Sequence, residues 1–231
     1  MLALTLLVAA LFPSDERIER LPELHRNWLE KEVVYIISAV EKEAFLRLES
    51  EEERSSFVDV FWRKRDLNPS TPENEYRTEH YRRLEYANEF FGRDTFREGF
   101  RTDRGRFYIL LGEPRSRQNF EAKDGIYPAE LWFFNNPELK SFGLPPFFSL
   151  LFFRRHGTGE FQLYDPLGDG PQALLTRVNS DSMDFRKDVE RAYNQLQWID
   201  PELAQASLSF MPDEGDVMQF QASSFGTVEL L

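Results

Sequence analysis

The segment 147–153 constrains the fold of this chain more than any other stretch. Its seven residues read Phe-Phe-Ser-Leu-Leu-Phe-Phe, so large apolar side chains occupy both the odd and the even positions. A strand points successive side chains to opposite faces of its sheet, and both faces of this strand are therefore apolar. The sequence predicts a sheet that is covered on both sides.

Three other short segments have strand character and are separated by Gly, Pro and Asn, which favour turns. They cover residues 107–111, 130–134 and 161–164. The last of them alternates apolar with polar residues, which is typical of an edge strand with one solvated face. With segment 147–153 they predict a mainly antiparallel four-stranded sheet.

Helical patterns dominate the first half of the chain. Two Ser-x-x-Glu capping boxes, beginning at Ser38 and Ser50, predict helices over about 39–48 and 51–65. An amphipathic helix that is interrupted near Pro22, or that begins there, precedes them.

A longer helix is predicted over about 72–91. Thr71 is expected to be its N-cap, with Pro72 at the first helical position. Gly92 is expected to form a left-handed C-cap. His80 lies on the apolar stripe of this helix and is interpreted as a packed histidine rather than a ligand.

A C-terminal helix over about 182–198 is the predicted cover for the second face of the sheet. Its apolar stripe consists of Phe185, Val189, Ala192, Tyr193 and Leu196. The fold class that follows is α+β: N-terminal helices packed on a mainly antiparallel four-stranded sheet, with a C-terminal helix.

Composition excludes several classes of function. The formal net charge of −12 argues against nucleic-acid binding, because phosphate contact needs a basic face. There is no cysteine, which removes disulfides and thiolate chemistry. The three histidines lie far apart in unrelated segments and fit no metal-binding motif, so we predict neither a metal site nor a cofactor.

The apolar run from Leu2 to Phe12 points to export of the protein. It is too short to span about 30 Å of hydrocarbon, so no transmembrane span is predicted, but it has the length of a signal-peptide core. No basic n-region precedes it, and a buried N-terminal helix is the alternative. We expect a periplasmic or extracellular location.

Four segments of the chain are expected to differ in role. Residues 1–14 form the predicted signal segment, 15–95 a helical half, and 96–206 the sheet with its C-terminal helix. Residues 207–231 have a hairpin-like pattern, and this tail could begin a further domain.

The stretch from Gly99 to Pro114 divides the helical half from the strand-patterned half. A tight turn from Thr102 to Gly105 is expected to lead into the strand at 107–111. The candidate structural residues here are Gly99, Phe100, Thr102, Asp103, Arg104 and Gly105.

The run Gly99-Phe100-Arg101-Thr102-Asp103 resembles the signature of the bacterial GWxTD-domain family, with Phe100 where the family usually has Trp. Other pieces resemble the family in the expected order, and the resemblance spans about residues 20–170. They are Trp28-Leu29-Glu30, the run Phe61 to Asp66 with Pro69 and Thr71, Asn74-Glu75, and Arg104-Gly105-Arg106 before Leu111-Gly112. The resemblance implies an envelope-associated or secreted bacterial protein without an assigned activity.

Two functions remain open for the motif. The leading hypothesis is a non-enzymatic, exported interaction or scaffold module, in which Asp103 accepts backbone N–H groups and ties the turn at Gly105. The alternative is a hydrolase of an envelope glycan or peptide that uses the carboxylates of Asp103 and Glu113. That enzyme would need the two carboxylates in a common cleft, roughly 5 to 10 Å apart.

A second cluster flanks the turn before the long helix. It consists of Arg65, Asp66, Asn74 and Glu75. These side chains could bind a ligand, or they could brace the turn against Arg104 or Arg106.

The aromatic sheet suggests a docking surface. One C-terminal helix is short for covering four strands, so we expect that a protein partner, a second copy or a further domain covers any exposed remainder. The oligomeric state does not follow from the sequence.

Overall fold

The structure is a computed structural model that describes residues 16–121, 123–135, 145–178, 185–209, 211–212 and 217. The described residues divide into two compact units, 16–77 and 78–217. The predicted signal segment 1–14 and most of the predicted tail 207–231 lie outside the described residues. The predicted division near residue 95 concerned two halves of one domain and stays a prediction.

Short helices build the first unit. They are α1 (Glu16–Glu19), α2 (Glu23–Asn27) with a π-helical turn (Trp28–Glu32), α3 (Ala39–Leu46) and α4 (Glu51–Lys64). Both capping boxes are confirmed: Ser38 and Ser50 each accept the N–H of the glutamate three residues on, which accepts the serine N–H in return. The break between α1 and α2 at Pro22 is also confirmed.

The core of the first unit is aromatic. Trp28 lies at its centre, with ring-centroid distances of 4.9 Å to Phe45 and 5.2 Å to Phe61. All three side chains are buried. Burial of large aromatic side chains is the main contribution to the stability of such a unit.

A buried ion pair joins α3 to the end of α4. Arg65 and Glu41 are 3% and 0% exposed, and two guanidinium nitrogens donate to the two carboxylate oxygens at 3.0 and 2.9 Å. Arg65 also donates to the carbonyl oxygens of Ile36 and Phe61, at 3.0 and 3.2 Å. The pair is therefore held by directional bonds, as a desolvated charge requires.

The stability of the first unit should depend on pH through His25. This side chain is 3% exposed and stacks on Phe45, and burial lowers its pKa, with the Arg54 cation acting in the same direction. The folded protein therefore binds fewer protons than the unfolded chain as the pH falls below about 6.5, and stability is lost. We expect His25→Phe to weaken the fall in unfolding free energy between about pH 7 and about pH 5.

Urea unfolding at the two pH values measures this effect. His156→Asn is the control, because His156 is exposed and its positive φ of 59° is tolerated by asparagine. An unchanged pH dependence in His25→Phe would show that His25 does not contribute.

The second unit combines helices with a sheet. After α5 (Glu75–Phe91), whose first three residues belong to the first unit, come a 3₁₀ turn (Gly99–Arg101), α6 (Asp103–Leu111), β1 (Ser116–Asn119), β2 (Ala129–Asn135), β3 (Phe147–Phe153), β4 (Gln162–Leu163), α7 (Phe185–Ile199) and α8 (Pro201–Ala206). Short 3₁₀ turns also occur at Arg155–Gly157 and Pro171–Leu174.

The sheet is antiparallel throughout, in the order β1-β2-β3-β4. Leu150 to Phe153 are buried at both odd and even positions, as the sequence predicts. The face with Trp132 and Phe152 packs on the helices, since Trp132 lies 5.6 Å from Phe91 of α5 and Phe152 lies 6.1 Å from Phe107 of α6, between ring centroids. The α+β fold class is confirmed.

The predicted C-terminal helix is α7. Ala192 and Leu196 on its apolar stripe are fully buried, whereas Val189 and Tyr193 are half-buried. The side chain of Phe185 lies outside the described residues.

The predicted strand at 107–111 is wrong, because these residues form the second half of α6. Phe107 to Leu110 are all buried, so this half of the helix is apolar on every side and its sequence shows no helical periodicity. A short apolar run does not distinguish a strand from a buried helix. The fourth strand of the sheet is β1, whose polar sequence has no strand pattern.

The predicted ends of the long helix need correction. Asn74, not Thr71, caps α5, because its Oδ1 accepts the N–H of Arg77 at 2.8 Å. Gly92 does not have the positive φ of a left-handed cap. His80 is buried at 4% exposure, as expected of a packed histidine.

Candidate functional site

The run Gly99–Asp103 lies where three segments approach one another backbone to backbone. A Cβ built on Gly99 would lie 2.0 Å from the carbonyl oxygen of Ala87 in α5. One built on Gly105 would lie 1.9 Å from the carbonyl oxygen of Gly99. Both distances are far shorter than any real contact, so α5, the 3₁₀ turn and α6 can meet only through glycine.

Phe100 and Thr102 fix the entry into α6. Phe100 is 1% exposed, and its N–H donates to Asn88 Oδ1 at 3.0 Å. The Thr102 hydroxyl accepts the N–H of Gly105 at 3.0 Å and donates to the Gly99 carbonyl at 2.7 Å. The predicted turn from Thr102 to Gly105 is instead the capped first turn of a helix.

Asp103 closes one edge of the sheet. Its Oδ2 accepts the N–H of Leu163 in β4 at 2.8 Å, and its Oδ1 lies 3.6 Å from Arg106 Nη2. The Tyr164 N–H donates to Leu151, so the Leu163 N–H faces away from β3. Asp103 does accept a backbone N–H, but from a distant strand and not from the turn at Gly105.

Arg104 ties α6 to the sheet. Its guanidinium donates to Glu130 in β2 at 3.0 Å and lies 3.7 Å from Asp94. Asp94 also accepts from Arg154 at 2.8 Å, and the two guanidiniums lie 4.1 and 4.7 Å from the ring centroid of Phe161. The cluster is balanced in charge and partly buried, which suits a structural brace.

The carboxylates proposed for the hydrolase lie at opposite ends of α6. Asp103 is its first residue and Glu113 follows its last, and the helix rise separates the Cα atoms at the two helix ends by about 12 Å. Glu113 is exposed. A third carboxylate at a strand end, Asp165, is exposed and accepts the N–H of Leu167 at 2.9 Å. This separation argues against the shared cleft that the hydrolase requires, and that alternative stays a prediction.

The four residues of the second predicted cluster make four separate contacts. Arg65 pairs with Glu41, Asp66 accepts the Asn68 N–H at 3.0 Å, Asn74 donates to the Trp62 carbonyl at 2.6 Å, and Glu75 accepts from the Thr71 hydroxyl at 2.7 Å. The Thr71 hydroxyl holds the pKa of Glu75 below its usual value. Arg104 and Arg106, the predicted braces, pair with acids of the second unit.

Other features of the described residues offer no reaction centre. An open groove of about 350 Å³ lies beside α4 and is lined by Leu48, Glu52, Glu53, Ser56, Phe57 and Val60. Within the described ranges, no group of His, Asp and Glu side chains is placed to hold a metal ion. No described helix has both the length and the apolar character needed to cross a membrane.

Sequence reasoning missed Asn88 and Glu130 as partners of the motif. Nothing local distinguishes Asn88 from other polar residues of α5. Glu130 carried a usable signal, because a carboxylate within an otherwise apolar strand usually needs a buried cation as partner.

The fold and the motif define an α+β protein in which a Gly-Phe-Arg-Thr-Asp junction joins helices to one edge of a sheet. The family model of the GWxTD domain matches residues 7–142, which is more than half of the chain. The chain therefore belongs to the GWxTD-domain family. Comparisons with curated proteins and with solved structures found no match.

Proposed function

We propose that this chain is a non-enzymatic interaction or scaffold module of the bacterial envelope. The proposal rests on the contacts of the motif residues. Thr102 and Asp103 both accept hydrogen bonds from backbone N–H groups, and Phe100 is buried. The exposed position of the motif is Arg101, the one that the family signature leaves open. A motif whose polar groups are engaged in hydrogen bonds within the protein stabilises the fold.

Export to the envelope rests on the sequence alone. The apolar run from Leu2 to Phe12 has the length of a signal-peptide core, and the family resemblance implies the same compartment.

The surface that we propose for a protein partner is one end of the sheet. Phe133 and Phe147 are 37% and 57% exposed, although the other end of the same face is buried at Ala129 and Phe153. Cross-strand register places Phe133 opposite Ser149, next to the pair of Asn135 and Phe147. Exposed aromatic rings on a sheet are typical contacts of protein interfaces.

Substitution of Asp103 distinguishes a fold-maintaining residue from a reacting one. Asp103→Asn keeps the shape of the side chain but removes the charge that faces the Leu163 N–H, so we expect the unfolding free energy to fall by about 1 kcal/mol. The matched control is Glu113→Gln, because Glu113 is exposed and has no hydrogen-bonding partner among the described residues. That variant should unfold like the wild type.

Partner capture from an envelope fraction completes the test. Below its unfolding transition, Asp103→Asn should retain the same specific partners as the wild-type chain. A variant that unfolds normally but loses its partners or an enzymatic activity would contradict the proposal.

A further inference from the structure

The two edges of the sheet differ in whether their outward backbone groups have hydrogen-bonding partners. The edge of β4 is closed, since Asp103 accepts the outward N–H of Leu163. The edge of β1 is open among the described residues: Ser116, Arg117 and Asn119 are exposed, and β2 is the only described strand that pairs with β1. Open edges are usually covered, because their unpaired N–H and C=O groups pair readily with another strand.

The outward backbone groups of β1 belong to Arg117 and Asn119. Phe120 donates its N–H to Ala129, and an antiparallel pair alternates between residues bonded to the partner strand and residues that face away from it. No described residue makes a hydrogen bond to the outward backbone groups of these two residues. The edge therefore presents two donors and two acceptors at strand spacing.

Arg117 places a fixed positive charge on this edge. Its guanidinium carbon lies 4.7 Å from the ring centroid of Trp132 and 5.4 to 5.7 Å from those of Tyr108, Tyr86 and Phe91. One guanidinium nitrogen also donates to the Tyr86 hydroxyl at 3.3 Å. The rings hold the cation in place, so it loses little conformational freedom when a ligand binds.

The positive charge on this edge has no acidic partner among the residues that the structure describes. Neither Arg117 nor the exposed Arg115 beside it contacts a carboxylate of any described residue, in a chain whose net charge is −12. The exposed Phe133 lies opposite Ser116, whose small side chain leaves the ring accessible from the β1 side.

We propose that β1 is the docking edge for an extended acidic segment of a partner protein, which adds a fifth strand to the sheet. The partner segment carries a carboxylate that pairs with Arg117 and an alternate apolar side chain that covers Ser116 and Phe133. A second copy of this chain does not fit, since pairing two β1 edges would bring like charges together. This inference deepens the proposed function by naming the surface and the chemistry of the partner.

Binding of synthetic peptides to the full chain tests the proposal. The probe is a blocked peptide that alternates glutamate with valine. One control replaces glutamate by lysine, and a second is N-methylated at alternate residues, which blocks backbone pairing without changing charge. We expect the first peptide alone to bind, to shift the amide resonances of residues 116–119, and to slow hydrogen exchange at Arg117 and Asn119.

Charge reversal identifies the cation that is involved. Arg117→Glu should weaken binding of the glutamate peptide by at least about tenfold and should allow the lysine peptide to bind. The matched control is Arg63→Glu, an exposed arginine on α4 without a carboxylate partner among the described residues, which should leave binding unchanged. If Arg117→Glu does not fold, Asn119→Pro removes an outward N–H, leaves Arg117 in place, and should also abolish binding.

Three results would overturn the inference: no binding of the glutamate peptide, equal binding of the N-methylated peptide, or resonance shifts confined to other surfaces such as the groove beside α4. Partner capture with Asn119→Pro distinguishes failure of the docking-edge inference from failure of the proposed function. If that variant still captures the specific partners of the wild type, the interaction module stands and the docking edge is wrong. If no form of the chain captures a specific partner, the proposed function itself fails.

Discussion

Replacing Gly105 by alanine should destabilise the second unit by more than about 4 kcal/mol or prevent it from folding. The new Cβ would lie 1.9 Å from the carbonyl oxygen of Gly99, and a backbone atom cannot swing aside as a flexible side chain can. Gly99→Ala should behave in the same way, because its Cβ would lie 2.0 Å from the Ala87 oxygen. Urea unfolding followed by circular dichroism measures both variants.

Gly159→Ala is the matched control for these substitutions. Gly159 has a positive φ of 78°, but a Cβ built there meets no atom within 4 Å. Its replacement should cost only the backbone strain, about 1 to 2 kcal/mol. If Gly105→Ala cost no more than Gly159→Ala, the close approach of α6 to the 3₁₀ turn would be wrong.

Removing the cation of the buried ion pair should cost about 3 to 5 kcal/mol in the first unit. Arg65→Met leaves the Glu41 carboxylate at 0% exposure without its counter-charge. The double variant Glu41→Gln/Arg65→Met should recover most of this loss, because glutamine is neutral and can still accept the Ser38 N–H. Urea unfolding of the two single variants and the double variant gives the coupling energy of the pair.

A surface pair supplies the comparison. Arg20 pairs with Glu16 at 2.9 Å, but both side chains are more than three-quarters exposed, so Arg20→Met should change the stability very little. Equal stability of Arg65→Met and the double variant would show that lost packing, and not the unpaired charge, causes the effect.

Local hydrogen bonds explain which parts of the fold could be predicted from the sequence. The two capping boxes, at Ser38 and Ser50, join residues three positions apart, so their pattern is visible in any short window. The two apolar faces of β3 could also be predicted, because they follow from the pattern of neighbouring residues within one short segment.

The contacts of the family motif and of the buried ion pair could not be predicted because they join residues that are distant in sequence. Asp103 and Leu163 are 60 positions apart, and Arg65 and Glu41 are 24 apart. The sequence predicts a turn at the start of α6 because Gly105 favours turns, whereas in the structure its lack of a side chain permits close packing. β1 was missed because an exposed polar edge strand has no hydrophobic pattern.

Hydrogen exchange at the amide of Leu163 tests most directly whether the family motif closes the edge of the sheet. In the wild-type protein this N–H points away from β3, so Asp103 is its bonding partner. We predict that it is protected and that Asp103→Asn accelerates its exchange, while the Tyr164 amide, which donates to Leu151, is unaffected. A Leu163 amide that exchanges as fast as an exposed one in the wild type, or at the same rate in both proteins, would contradict the structural role of the motif.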